Sequence, residues 1–124
     1  MNDPSPADQP GTCVDDGGVD LELLVTPGCP HQEPAATLLR TALDDVGLTT
    51  AQFATTVITT AEEATRLGFI GSPTIRVNGQ DLFTVPGAQP ALACRIYSGP
   101  AGPTGIPPLR DLRQALKRAA AAVR

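Results

Sequence analysis

The chain is poor in aromatic residues, which make up 3% of its 124 residues, and it has no tryptophan. It also lacks any apolar run near the ~20 residues that a membrane-spanning helix needs, so we expect no membrane partner. A secretory signal would begin with a basic region followed by an apolar stretch, and the first residues show neither. We therefore expect a cytoplasmic protein.

The cysteines are few and odd in number. Three are present, which does not suit a framework of paired disulfides. In a chain without an export signal, such cysteines are more typical of free or reactive thiols in a reducing compartment. Cys13 falls in a segment rich in proline, glycine and aspartate, and we interpret it as incidental.

Charge is distributed unevenly along the chain. The first twenty residues hold five aspartates and no lysine or arginine, and the rest carries 9 basic and 8 acidic residues. Without a basic patch we expect no nucleic-acid partner. Residues 1–18 are almost free of apolar side chains, so they are predicted to be a disordered tail, followed by a single domain over residues 19–124.

Apolar periodicity and turn signals predict seven elements in the order β-α-β-α-β-β-α. They are a strand over 19–25, a helix from Pro34 to the Gly47 stop, a strand over 52–58, a short helix opened by a Thr60–Glu63 capping box, strands over 73–77 and 82–85 joined by an Asn78-Gly79 turn, and a helix from Leu109. The segment between Pro86 and Pro108 is predicted to be a connection without strands. This order favours an α/β fold with a central mixed four-stranded sheet.

Cys29 follows the first strand after a Pro27-Gly28 turn, close to the start of the first helix. A thiolate is a nucleophile, and a helix N-terminus or a nearby cation stabilises it. His31, the only histidine, could supply that cation or a proton. Cys29 and His31 are therefore candidate catalytic residues, and the alternative is an inert cysteine buried at a strand end.

Three segments together resemble a family of short bacterial thioredoxin-like proteins, whose members are often labelled alkylmercury lyase or thioredoxin family protein. They are Gly28-Cys29-Pro30-His31, Gly71-Ser72-Pro73-Thr74-Ile75 and Ala93-Cys94-Arg95-Ile96-Tyr97. The resemblance covers about residues 19–120 and implies a thioredoxin-like fold, with Cys29 as nucleophile and Pro73 as a cis-proline beside it. Gln32 stands where that family has its second cysteine, which excludes exchange within a Cys-x-x-Cys pair.

The same resemblance implies a substrate-binding edge next to Cys29. It implies that the backbone of Ser72 faces Cys29 and can pair with an extended peptide or a small thiol, so Ser72, Pro73 and Thr74 are candidate binding residues. An ordinary trans proline at a strand start is the alternative for Pro73. Arg95 is a candidate for binding a substrate carboxylate, although isolated arginines are more often solvated.

Cys94 lies in the connection that the resembled fold would bring out on the side of Cys29. It could act there as a resolving thiol, or as the second sulfur ligand of a soft metal ion such as Hg(II). The alternative is that the apolar run before it packs into the core, where cysteine is a common small hydrophobe. Tyr97 is interpreted as a packing residue.

Three functions remain open from the sequence. The first is a thiol redox enzyme of thioredoxin type, which would act on small-molecule thiols or on protein thiols and disulfides through Cys29 and Cys94 and would need no cofactor. The second is an organomercurial lyase or a mercuric-ion binder with the same two cysteines as ligands. The third is a non-catalytic binding domain that keeps the fold without the chemistry, which the Gln32 position favours.

Overall fold

The structure, a computed structural model, describes residues 20–122. Its elements are β1 (Leu21–Val25), α1 (Gln32–Asp45), β2 (Phe53–Val57), α2 (Ala61–Leu67), β3 (Thr74–Val77), β4 (Gln80–Asp81), β5 (Tyr97–Gly99), β6 (Gly102–Thr104) and α3 (Leu109–Ala122). The predicted tail over 1–18, with Cys13, lies outside the described residues.

The central sheet has the strand order β2-β1-β3-β4. β1 is parallel to β2 on one side and antiparallel to β3 on the other, and β4 is antiparallel to β3. β1 is the most apolar strand because it lies inside the sheet, whereas β2 is an edge strand with mostly exposed side chains. The predicted mixed four-stranded α/β sheet is confirmed.

Residues of β1 belong alternately to two apolar clusters, one on each face of the sheet. Leu21, Leu23 and Val25 belong to the larger one, with apolar residues of α1, β3 and α3, while Leu24 joins the smaller one with Ile58, Ala64 of α2 and Phe69. Because side chains alternate across a strand, α1 and α3 cover one face of the sheet and α2 the other. No helix within residues 20–122 is long and apolar enough to cross a membrane.

The second helix begins at its predicted capping box, and the first begins close to its predicted start. α1 starts at Gln32, two residues earlier than predicted, so that Pro34 falls in the first turn, where its missing N–H costs little. At α2, the Thr60 side chain accepts a hydrogen bond from the backbone N–H of Glu63. The Glu63 carboxylate accepts from the backbone N–H of Thr59 at 3.0 Å, and this hydrogen bond lowers the pKa of Glu63.

The predicted hairpin is present, but its second strand was placed wrongly. Asn78 and Gly79 both have positive φ angles, as a tight two-residue turn requires, so Gln80 pairs directly with Val77. The strand stops after Asp81, whose carboxylate accepts a hydrogen bond from the backbone N–H of Phe83, two residues further along the chain. β4 is therefore Gln80–Asp81 and not the predicted 82–85.

The connection predicted to lack strands contains a second, two-stranded sheet. β5 and β6 pair in antiparallel, and an isolated parallel bridge joins Ser72 to Cys94 just before them. These strands have three residues each and include glycine and proline, so they show none of the alternation by which a strand is recognised in a sequence.

Candidate functional site

Cys29 lies in the strand-to-helix turn between β1 and α1. Its N–H donates to the carbonyl of Thr26 and its own carbonyl accepts from the N–H of Gln32, both at 3.2 Å. The side chain is half-buried and packs against the larger apolar cluster. The turn therefore holds a free thiol two residues before His31, the N-cap of α1.

His31 packs closely against a distant part of the chain. Gly105, in the loop between β6 and α3, lies so close to the imidazole ring that a Cβ atom at position 105 would overlap Nε2 and Cε1. His31 is half-buried. Sequence reasoning identified His31 through its nearness to Cys29, but no sequence signal pointed to Gly105.

Ser72 connects the Cys29 turn to the segment that carries Cys94. Its Oγ accepts a hydrogen bond at 3.1 Å from the backbone N–H of Thr26, the residue whose carbonyl accepts from Cys29. Its side chain is fully buried. The peptide bond between Ser72 and Pro73 is cis, as the resemblance predicted.

Residues 91–97, hereafter the covering segment, occupy the backbone edge beside Ser72. The N–H of Ser72 donates to the carbonyl of Ala93 at 2.8 Å, and the carbonyl of Ser72 accepts from the N–H of Arg95 at 2.9 Å. Upstream, the N–H of Ala91 donates to the carbonyl of Phe69 at 3.0 Å. The expectation that the Ser72 backbone is open to a peptide is therefore wrong in this structure, because the chain's own segment pairs with it.

Arg95 does not face solvent or a substrate. It is only 6% exposed, and its guanidinium donates to Asp81 at 2.7 Å, to the Thr74 hydroxyl at 3.1 Å and to the backbone carbonyl of Phe83. The Thr74 hydroxyl in turn donates to the carbonyl of Gly71 at 2.6 Å. The predicted roles of Arg95 and Thr74 in substrate binding are replaced by internal ones, since their polar atoms hold the covering segment to β3 and β4.

Tyr97 provides a second buried anchor. Its hydroxyl donates to the carbonyl of Pro73 at 2.5 Å, and its ring meets Phe83 edge to face, with the centroids 5.6 Å apart. The Arg95 guanidinium lies 4.8 Å from the Tyr97 ring centroid. Burial raises the pKa of Tyr97 far above its usual value, and the positive charge of Arg95 offsets this only in part. The phenol therefore remains a protonated donor.

Cys94 is exposed, and it is a free thiol. Its neighbours two positions away, Leu92 and Ile96, are 42% and 68% exposed, whereas the intervening Arg95 and the following Tyr97 are buried. One face of the covering segment therefore points to the interior with Arg95 and Tyr97, and Cys94 lies on the exposed face. The alternative that Cys94 packs into the core as a small hydrophobe is wrong.

Sequence reasoning missed Gly71 and Asp81, which both support the covering segment. Gly71 has φ +149°, and a Cβ there would lie 2.9 Å from Cβ of Arg95, so only glycine permits this close approach. Asp81 is the charge partner of Arg95. The only sequence signal for a role of Asp81 is that it is an acidic residue shortly after a hairpin turn, and this signal is weak.

Within residues 20–122, no three histidine, cysteine or acidic side chains are grouped so as to hold a metal ion. A mercury site would rest on Cys29 and Cys94 alone. A scan against protein-family models and searches of curated proteins and of solved structures found no match to this chain.

Proposed function

We propose that this protein is a thiol-dependent redox protein of thioredoxin type, in which Cys29 is the nucleophile and Cys94 the resolving thiol. The observation that carries this proposal is the position of Ser72, which binds the backbone of the Cys29 turn through its Oγ and both neighbours of Cys94 through its backbone. One residue therefore separates the two thiol-bearing segments, although they are 65 positions apart in the chain.

The arrangement of the sheet supports a thioredoxin-like fold as part of this proposal. A parallel pair, β1 and β2, is connected through α1, and an antiparallel pair, β3 and β4, extends the sheet on the other side. Cys29 lies where β1 gives way to α1. Free thiols of this kind fit a reducing compartment, and we propose the cytoplasm.

The chemistry proceeds in two exchange steps that balance. The Cys29 thiolate attacks one sulfur of a disulfide RSSR, which forms a Cys29–SR mixed disulfide and releases RS⁻, to which we assign His31 as proton donor. The Cys94 thiol gives up its proton, and the resulting thiolate attacks the Cys29 sulfur and releases the second RS⁻, which takes up that proton as RSH. In total, one substrate disulfide is reduced to two thiols, and the two protein thiols are oxidised to one Cys29–Cys94 disulfide.

The mercury hypothesis has weaker support from the same residues. Thiolates bind soft ions such as Hg(II), but within residues 20–122 no third histidine, cysteine or acidic side chain is grouped with the two cysteines to complete a metal site. A non-catalytic domain would need neither thiol, whereas Cys29 and Cys94 both lie on segments that are hydrogen-bonded to Ser72. The redox function is therefore the one that the two free thiols support best.

The test is the product of oxidation by a small disulfide in a Cys13→Ser background. We expect one intramolecular Cys29–Cys94 disulfide per chain, found by mass spectrometry after proteolysis. Its formation requires the two Cα atoms to come within about 7 Å. The variant Cys94→Ser should instead accumulate the Cys29 mixed disulfide. Recovery of Cys94 as a free thiol while Cys29 keeps its mixed disulfide in the parent protein would contradict the resolving role.

A further inference from the structure

The backbone edge at Ser72 is connected to the Cys29 turn, because Ser72 Oγ accepts a hydrogen bond from Thr26, the residue whose carbonyl accepts from the Cys29 N–H. An extended peptide that binds next to a sheet edge needs free backbone N–H and C=O groups at that edge. Both backbone groups of Ser72 are already bonded, to Ala93 and to Arg95. A peptide substrate would have to displace the covering segment before it could pair there.

The covering segment is fastened by more than its backbone. The Arg95–Asp81 ion pair is almost completely buried, with side chains 5% and 13% exposed, and Tyr97 donates to Pro73 from the interior. Displacing the segment would break both contacts and would leave buried polar groups without partners, which is costly. The segment is therefore a fixed part of the site in the ground state.

From this we infer that Cys29 reacts with low-molecular-weight disulfides and excludes extended peptide disulfides, because residues 91–97 fill the position that a peptide strand would take. The inference rests on the proposed function and narrows its substrate class. The step concerned is the first exchange alone: Cys29–S⁻ and RSSR give Cys29–SSR and RS⁻, so no further oxidant or reductant is needed.

The experiment uses the full chain with Cys13→Ser and Cys94→Ser, so that Cys29 is the one reacting thiol. The second-order rate of mixed-disulfide formation is measured with 2-hydroxyethyl disulfide and with a flexible peptide that carries a single exposed disulfide. The same protein unfolded in urea gives the ratio of the two rates for an unhindered thiol. We expect the ratio of the small-reagent rate to the peptide rate to be at least tenfold higher in the folded protein than in the unfolded chain.

A half-buried thiol could discriminate by size without any role for the covering segment, so a second variant separates the two causes. Tyr97→Phe removes one buried hydrogen bond from the segment, and a bond of this kind contributes about 1 kcal/mol, or about fivefold in an equilibrium. We expect Tyr97→Phe to raise the peptide rate about fivefold and to leave the small-reagent rate unchanged. Ile96→Ala, at an exposed position of the same segment, is the matched control and should change neither rate.

Each outcome has a distinct meaning. Equal selectivity in the folded and unfolded protein, or a peptide rate that Tyr97→Phe does not raise, would overturn the restriction to small disulfides while leaving Cys29 a redox thiol. Failure of folded Cys29 to react with either reagent would overturn the proposed function and this inference together.

Discussion

The two segments that carry the candidate thiols are held in place by different forces. The Cys29 turn, residues 26–32, is fixed by backbone hydrogen bonds between residues three positions apart and by packing on the main core. The covering segment is fixed by side-chain bonds from Arg95 and Tyr97 to groups 12 to 24 positions away. The position of Cys94 therefore depends mainly on a few long-range side-chain contacts. The Cys29 turn has one such contact, the hydrogen bond from the Thr26 N–H to Ser72 Oγ, beside its local backbone bonds and its apolar packing.

This difference matters because the loss of a single partner can make a buried polar contact strongly destabilising. A buried ion pair contributes little compared with apolar side chains of the same volume, but loss of one partner leaves the other charge buried and unpaired. The apolar packing under Cys29 is shared among many side chains, so no single polar contact controls it. It follows that substitutions can release the covering segment while the Cys29 turn keeps its structure.

The largest effect is expected for Arg95→Met. The change leaves the Asp81 carboxylate without its cation in a site where its side chain is only 13% exposed, and breaking such a pair costs about 3–5 kcal/mol. The free energy of unfolding should fall by that amount in urea denaturation. Chymotrypsin should then cleave the folded variant after Tyr97, while the helical circular dichroism persists.

Arg113→Met is the matched control, because Arg113 forms an ion pair of similar type with Asp45 in which the side chains are 39% and 37% exposed. An exposed pair contributes at most about 1 kcal/mol. Equal losses of stability in the two variants would mean that the Arg95 pair does not anchor the covering segment.

An intermediate effect is expected for Gly71→Ala. The new Cβ would lie 2.9 Å from Cβ of Arg95, and φ +149° strains any residue other than glycine, so the two costs together reach about 2–4 kcal/mol. Because the clash pushes the covering segment outward, trypsin should cleave after Arg95 faster than in the parent protein. Cleavage through local opening reports the population of the open form.

Gly87→Ala is the control that separates the backbone strain of an alanine at positive φ from the clash with Arg95. Gly87 also has a positive φ, +82°, but nothing lies within 4 Å of a Cβ built there. This variant should lose only about 1–2 kcal/mol and should keep the parent's rate of cleavage after Arg95. Equal cleavage rates in the two alanine variants would show that the close approach of Gly71 to Arg95 has no influence on the segment.

The same division explains what the sequence could predict. The position of Cys29, the Thr60 cap and the Asn78-Gly79 turn follow from residues within a few positions of each other, and sequence reasoning found all three. Arg95 and Tyr97 look in the sequence like a solvated cation and a packing aromatic. Their function depends on partners brought close only by the complete fold, so the occupied edge at Ser72 could not be predicted.

The smallest effect concerns Tyr97 and depends on pH. At neutral pH, Tyr97→Phe keeps the aromatic contact with Phe83 and loses the hydrogen bond to Pro73, so it should cost about 1 kcal/mol. Burial raises the pKa of Tyr97 in the folded state above the value of about 10 in the unfolded chain. The folded state therefore binds the phenolic proton more tightly, and its stability must fall as the pH rises above about 10.

Urea denaturation of both proteins at a series of pH values from 8 to 11 measures this difference, and the shared titrations of the other groups cancel when the two curves are subtracted. The stability of the parent protein should fall relative to that of Tyr97→Phe by up to about 1.4 kcal/mol for each pH unit above 10, so the two curves should converge above pH 10 and cross near the upper end of the series. Tyr97 is the only tyrosine, so phenolate absorbance reports its titration directly. A phenol that titrates near pH 10 in the folded protein would mean that Tyr97 is open to solvent, and the covering segment would then be no more firmly held than a surface loop.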